Sequence, residues 1–256
     1  MLSPTKAFLN YRTLSQSQID FAVIVCHAVP ALQADLATAG TLPTHPPDHF
    51  KNTRNPTSWL KQRASQYQDE LARNTLLSAF SYFEAYVKAL LLEIVAFHGG
   101  ALKLKALAHQ RSAKFLANPP ASLVEAKNKL QHNRKKNYEG KYYKHTQTLE
   151  KGGFRFPSDL LSNYGARALL AKLDNNAKNL RAFELPDVLK EALLYPMTST
   201  EMALYEEVRD IRNKIGHGKG PNLLLKDALH HASKLHKLAA KIDNHVGDHF
   251  LIIQIG

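Results

Sequence analysis

The 256-residue chain has a single cysteine, Cys26, and lacks the patterns of the commonest cofactor sites. One thiol can form neither an internal disulfide nor a cysteine-rich zinc module, and it indicates a reducing compartment. Because Cys26 lies in the apolar run FAVIVCHAV, we expect it to be a small buried residue. There is no HExxH pattern, no phosphate-binding loop and no glycine-rich dinucleotide fingerprint. We therefore expect neither a metal nor a cofactor.

Long hydrophobic runs are also missing. The run ALLLEIVAF at 89–97 is far shorter than the ~20 residues that span a bilayer, and no signal-peptide pattern opens the chain. These absences predict a cytoplasmic protein without membrane association. At 44% apolar residues, the chain can nevertheless bury a real core.

Positive charge is present in excess and is concentrated in one segment. The net charge is +12, and residues 103–155 contain 13 Lys and Arg against 3 Asp and Glu. A local basic excess is typical of a surface that binds a polyanion, with nucleic acid as the first candidate.

The most basic stretch is HNRKKNYEGKYYKH, residues 132–145. Cations follow a phosphate backbone and aromatic rings stack on unpaired bases, so this mixture favours single-stranded RNA. The candidate RNA-binding residues are Arg134, Lys135, Lys136, Lys141, Lys144, Tyr138, Tyr142 and Tyr143. The alternative is a solvated loop whose tyrosines pack on the core.

Helical periodicity dominates the rest. Residues 57–97 contain no Gly or Pro, and their apolar stripe ends at the capping pair Gly99 and Gly100. The stripe consists of Leu76, Phe80, Phe83, Val87, Leu90 and Ile94. Thr198 and Glu201 form a capping box that opens a second helix, with the stripe Leu204, Val208, Ile211 and Ile215.

A third long helix is expected from about Pro221, with the stripe Leu225, Ala228, Ala232, Leu235, Ala239 and Ile242. Shorter helical pieces are expected around 17–38, 158–173 and 186–194. These patterns predict an all-α fold, an antiparallel helical bundle. We expect one domain over 1–256, with residues 103–157 as a basic insertion between core helices.

The segment RDIRNKIGHGKG, residues 209–220, places an arginine, an asparagine and a histidine at a glycine-rich helix end. On a continuous helix, Arg212 and His217 would point about 140° apart. We expect Gly216 to adopt a positive φ and end the helix, so that His217 turns toward Arg212.

This pair suits RNA cleavage without a metal. A histidine can exchange protons with the ribose 2′-hydroxyl and the leaving oxygen, and an arginine can stabilise the charged transition state. Asn213 could orient the histidine or donate to the phosphate. Alternatively, Arg212 is a solvated helix residue and His217 a cap favoured by the helix dipole.

The motif R-N-K-I-G-H-G at a helix end resembles the signature of HEPN domains, and NTLLSAFSYFEAYVKALLLEI is similar to a helix that many of them carry. The resemblance covers about 57–100 and 198–245. It implies a HEPN-like bundle that forms a homodimer with two motifs in one cleft. It also implies metal-independent endoribonuclease activity in a toxin–antitoxin, phage-defence or RNA-processing system, with Arg212, Asn213 and His217 catalytic.

Glu84 interrupts the apolar stripe and is a candidate for orienting Arg212, since a largely buried carboxylate needs a partner. It could equally be an ordinary flank residue. Two further functions stay open: a non-catalytic protein that binds RNA or a nucleotide, and a helical interaction module in a defence complex. An antitoxin or a defence-complex subunit is therefore a further expected partner.

Overall fold

The computed structural model describes residues 4–38, 56–104, 106, 180–193, 195–220 and 222–251. Five helices of ten or more residues account for most of them: α1 (Lys6–Thr38), α2 (Pro56–Ser65), α3 (Tyr67–Phe97), α4 (Ser199–Gly216) and α5 (Leu225–His249). A short segment, Ala182–Ala192, passes from a 3-10 turn through one α turn into a π turn. No strand occurs in these ranges, so the all-α prediction is confirmed for the described chain.

The predicted α3 stripe is confirmed, because all six of its residues are fully buried. Gly99 and Gly100 end the helix with φ values of 80° and 101°, and the Gly100 N–H donates to the Val95 carbonyl at 2.9 Å. The helical region 57–97, whose continuity the sequence leaves open, is divided near Gln66 into α2 and α3. The N-terminal helix is longer than expected and continues through Pro30. Cys26 of this helix, expected in the core, is only half-buried.

The start of α4 also follows the prediction. The Thr198 N–H donates to Glu201 at 3.0 Å, and the Glu201 N–H donates to the Thr198 hydroxyl at 3.2 Å. Of the stripe predicted for α4, Val208 is fully buried, and Leu204, Ile211 and Ile215 are half-buried. Tyr205, which lies beside Leu204 on the helix, takes the buried place instead.

The α5 stripe is largely confirmed. Ala228, Leu235, Ala239 and Ile242 are fully buried, whereas Leu225 and Ala232 are half-buried. The helix itself begins at Leu225, four residues after Pro221.

The chain divides into two compact units, and each long helix except α2 contributes residues to both. Unit A comprises Met1–Arg12, Phe83–Glu207 and His236–Gly256, and unit B comprises Thr13–Tyr82 and Val208–Leu235. The expected basic insertion falls almost entirely outside the described residues, so the single-domain organisation stays a prediction.

In unit A, carboxylates from two other helices cap the start of α1. Glu93 accepts the Lys6 and Ala7 N–H groups at 2.9 and 2.8 Å, and Asp243 accepts the Thr5 N–H at 3.2 Å. These acceptors satisfy donors that a helix start leaves without intrahelical partners. Further along, Tyr11 meets Phe83 and His236, so α1 runs antiparallel to α3 and α5 in this unit.

Other polar groups of unit A are also paired within its core. Glu201 accepts from the Tyr195 hydroxyl at 3.2 Å and from Lys241 at 2.8 Å. Burial raises the pKa of Glu201, but the bonds from Lys241 and Thr198 outweigh it and lower the pKa overall. A ring nitrogen of His245 bonds the Leu193 carbonyl at 2.8 Å, and burial lowers the pKa of this imidazole to about 4.

Candidate functional site

The candidate site lies in unit B, at the C-terminal end of α4. The Lys219 N–H donates to the Lys214 carbonyl at 2.9 Å, and the Gly218 N–H donates to the Ile215 carbonyl at 3.0 Å. Gly218, with a φ of 71°, occupies the left-handed position that this double bond pattern requires. The carbonyls of Lys214 and Ile215 are thereby satisfied, and the chain leaves the helix after His217.

The expected positive φ at Gly216 is therefore wrong. Within the described residues, the glycines with positive φ are Gly99, Gly100 and Gly218. The His217 N–H still donates to the Asn213 carbonyl at 3.0 Å, so His217 keeps the helical register of α4. The left-handed residue comes two positions later than expected, because the bonding pattern places it one residue beyond the C-cap.

Arg212 is a half-buried side chain held from two directions. Its guanidinium donates to the Asn213 side-chain carbonyl at 3.0 Å, and its Cζ atom lies 5.9 Å from the centre of the Phe80 ring. An aromatic face attracts a cation at this distance by about 0.5–1 kcal/mol or more. The sequence indicated only a core position for Phe80, but its ring also contacts the Arg212 guanidinium. The Asn213 amide contacts the arginine, and its NH₂ group remains as a donor.

His217 is exposed to solvent, in contrast to Arg212. Because it stays in helical register five residues after Arg212, the two side chains leave the helix about 140° apart. The expected turn of His217 toward Arg212 at a helix end therefore does not occur within one copy of α4.

Arg73 of α3 also lies at this site, although no sequence pattern predicted it. A side-chain carbon built on Gly220 would lie 3.1 Å from the nearest guanidinium nitrogen of Arg73 and 3.3 Å from its Cζ atom. The guanidinium thus packs over the glycine backbone that follows His217. Its pairing with Glu70 is long, at 3.5 Å, and a third of the side chain is exposed. No sequence pattern links 73 to 220, since only the fold joins them.

The structure does not test the other predicted site residues. Glu84 is half-buried in unit A, and its pairing with Arg212 stays a prediction. The eight candidate RNA-binding residues between 134 and 144 lie outside the described residues. In the part of the chain that is described, no three His, Cys, Asp or Glu side chains are grouped as a metal site.

Membrane association was not expected, yet α1 is long and apolar enough to cross a bilayer by length and composition. Only 11% of its most apolar 18-residue window is buried. Cytoplasmic localisation therefore stays a prediction.

Comparison with known proteins gives no relative from which a function could be transferred. No family model, no curated protein and no solved structure matches the chain.

Proposed function

We propose that the chain is a HEPN-like, metal-independent endoribonuclease that acts as a homodimer. The observation that carries the proposal is the end of α4. There a half-buried arginine is held by Asn213 and Phe80, and an exposed histidine follows five residues later at the C-cap. These are the two groups that metal-free RNA cleavage needs, a fixed cation and a solvent-accessible acid–base group.

In the proposed reaction, His217 of one chain removes the proton from the ribose 2′-hydroxyl. The 2′-oxygen then attacks the adjacent phosphorus as the bond from phosphorus to the 5′-oxygen breaks. The second chain's histidine protonates the leaving oxygen, which gives a 2′,3′-cyclic phosphate and a 5′-hydroxyl. Arg212 stabilises the charge on the phosphoryl oxygens, and Asn213 orients Arg212. The RNA itself would be guided by the basic residues between 134 and 144.

The biological setting that fits such an enzyme is a toxin–antitoxin or phage-defence system, with an antitoxin or a defence-complex subunit as partner. A toxin that cuts cellular RNA without a cofactor needs such a partner to keep it inactive.

Cleavage of RNA in the presence of EDTA tests this function. We expect wild-type protein to cut and to leave 2′,3′-cyclic phosphate ends, and His217→Ala to cut at least about 100-fold more slowly. His230→Ala is the matched control, because His230 is also an exposed histidine of unit B. Loss of wild-type cleavage in EDTA, or unchanged cleavage by His217→Ala, would contradict the proposal.

One observation favours a second function, the binding of RNA or a nucleotide without cleavage. Arg212 and His217 leave α4 about 140° apart, so a single chain presents the arginine and the histidine at two separate points rather than as one catalytic pair. Salt-sensitive RNA binding without any cyclic-phosphate product would support this function instead.

A further inference from the structure

Two arginines of unit B share one arrangement, in which the guanidinium is supported on its flat face. Arg212 lies over the Phe80 ring at 5.9 Å. Arg73 lies over Gly220, because its Nη2, Cζ and Nε atoms would be 3.1, 3.3 and 3.7 Å from a side-chain carbon built on that glycine. A carbon at such similar distances lies above the plane of the group rather than at its edge. The N–H donors of Arg73 lie in that plane, so they are directed past Gly220 rather than at it.

Gly220 permits this approach because it has no side chain. A carbon there would lie closer to the guanidinium than ordinary van der Waals contact allows, so Arg73 would have to move. The glycines with positive φ in the described residues are Gly99, Gly100 and Gly218, so the backbone of Gly220 does not itself require glycine. The space that Gly220 leaves therefore serves the position of Arg73.

Glu70 is the acidic group that pairs with Arg73. The distance from its Oε1 atom to Nη1 of Arg73 is 3.5 Å, which is long for a hydrogen bond between charged groups. About half of the Glu70 side chain is exposed, and an exposed pair on one helix contributes little. A phosphate that approaches Arg73 can therefore replace Glu70 as the acceptor.

The two arginines lie along one face of α3, at different levels. Arg212 meets Phe80, whereas Gly220, eight residues later in the chain, meets Arg73, seven residues earlier on α3. The end of α4 and the loop that follows it therefore run antiparallel to α3. Positions 73 and 80 differ by about 20° around the helix and by about 10.5 Å along its axis.

This spacing fits two phosphates of one RNA strand. A stacked strand advances about 3.4 Å per nucleotide, so about 10.5 Å corresponds to about three nucleotides, and to fewer in an extended strand. A guanidinium that is supported on its face presents its N–H groups to phosphate oxygens in a fixed direction. Two such groups at this distance would hold a strand at two points.

We propose that Arg73 binds a second phosphate of the substrate strand, about two or three nucleotides from the scissile phosphate that Arg212 contacts, and that Gly220 positions Arg73 for this contact. The identity of the first phosphate as the scissile one rests on the proposed function. The contact narrows the substrate class, because a strand of four or five nucleotides reaches both arginines and a dinucleotide reaches one.

Binding of deoxyoligonucleotides tests this contact without cleavage, since these strands lack the 2′-hydroxyl. Fluorescence anisotropy of labelled strands would compare a dinucleotide with a hexanucleotide. We expect wild-type protein to bind the hexanucleotide more tightly, and Arg73→Ala to lose about threefold to fivefold of that gain. The slope of log affinity against log salt should fall by about 0.7 for the hexanucleotide, which corresponds to one phosphate contact.

Gly220→Val separates the position of Arg73 from its charge. The variant keeps the net charge, and we expect it to lose the same gain as Arg73→Ala, because the valine displaces the guanidinium. The double variant should lose no more than Arg73→Ala alone, since both changes remove one contact. Arg63→Ala removes an exposed arginine of α2 and is the matched charge control, which should keep the gain with strand length.

Glu70→Gln is expected to change affinity in the opposite direction. Without the carboxylate that competes with phosphate, Arg73 should bind the hexanucleotide about twofold more tightly. Asp69→Asn removes an exposed carboxylate one position earlier and is the matched control for the change in charge. In an Arg73→Ala background, Glu70→Gln and Asp69→Asn should have equal effects.

Three results would overturn the proposal. They are equal binding of both strands by wild type, a wild-type gain with strand length in Arg73→Ala, or the same gain in Gly220→Val. Because the strands cannot be cleaved, these results are separate from a failure of the proposed cleavage. A wild type that shows the expected length dependence but leaves RNA intact would keep the two phosphate contacts and contradict the endoribonuclease.

Discussion

The two units use their polar side chains in different ways. In unit A, Asp243, Glu93 and Glu201 accept helix-start N–H groups, and His245 is tied to a buried carbonyl. In unit B, the end of α4 presents Arg209, Arg212, Lys214 and Lys219 against one acidic residue, Asp210. Of these cations, Arg209 pairs with Asp210 at 3.3 Å, and that contact is partly exposed.

This difference indicates a division of roles. Charges whose partners are backbone groups stabilise the fold, because their removal leaves those groups without an acceptor or donor. Cations that outnumber their acidic neighbours at a surface are available to a polyanion. Substitutions of these unit A side chains should therefore change stability, whereas substitutions of the cations at the end of α4 should change RNA binding or cleavage.

The largest stability effect is expected from His245. Burial lowers its pKa from 6.5 to about 4, so between these values the unfolded chain binds a proton that the folded chain does not. The contribution of the neutral His245 to the free energy of unfolding is therefore fully present above pH 6.5. It falls by up to about 3 kcal/mol as the pH drops through 4. His245→Gln, which keeps a donor, should flatten this dependence in urea unfolding.

The control for that prediction is His230→Gln, an exposed histidine whose loss should leave the pH dependence as in wild type. An unchanged slope in His245→Gln would mean that the buried imidazole does not set the acid stability of unit A.

The next largest effect on stability is expected from Asp243, which caps the start of α1. Asp243→Ala leaves the Thr5 N–H and hydroxyl without their acceptor, so we expect the free energy of unfolding to fall by about 2 kcal/mol. RNA cleavage per folded molecule should not change. Asp248→Ala, at an exposed position of α5, should have little effect on either quantity.

Smaller changes in stability, of opposite sign, are expected when two glycines of unit B are replaced by alanine. Gly218→Ala should cost about 1 kcal/mol, since Gly218 has a φ of 71°. Gly216→Ala should instead stabilise by about 0.5–1 kcal/mol, because Gly216 is the last helical residue and a side chain there meets no atom within 4 Å. Thermal unfolding of the two variants distinguishes them, and equal shifts would contradict the position of the helix end.

The smallest effect is expected at Arg73. Arg73→Ala, which removes one half-buried cation from the candidate site, should weaken RNA binding about threefold to fivefold and reduce its salt dependence, with little loss of stability. Arg63→Ala, an exposed arginine on α2, is the comparison. Equal affinities for the two variants would remove Arg73 from the site.

Much of the fold follows from local sequence, because helix ends and buried stripes depend on neighbouring residues. The α3 stripe, the Gly99–Gly100 cap and the Thr198–Glu201 capping box are examples. The errors arise where tertiary packing decides. The burial of Tyr205 in place of Leu204, the exposure of α1 and the approach of Arg73 to Gly220 all depend on which helices meet. The RNA-binding residues at 134–144 stay predictions.

The most direct test of the division of roles measures cleavage and stability together in His217→Ala and His245→Gln. We predict that His217→Ala loses RNA cleavage and keeps the wild-type free energy of unfolding at neutral pH. His245→Gln should cleave like wild type and lose the acid dependence of its stability. Wild-type cleavage by His217→Ala would contradict the assignment of function to the end of α4.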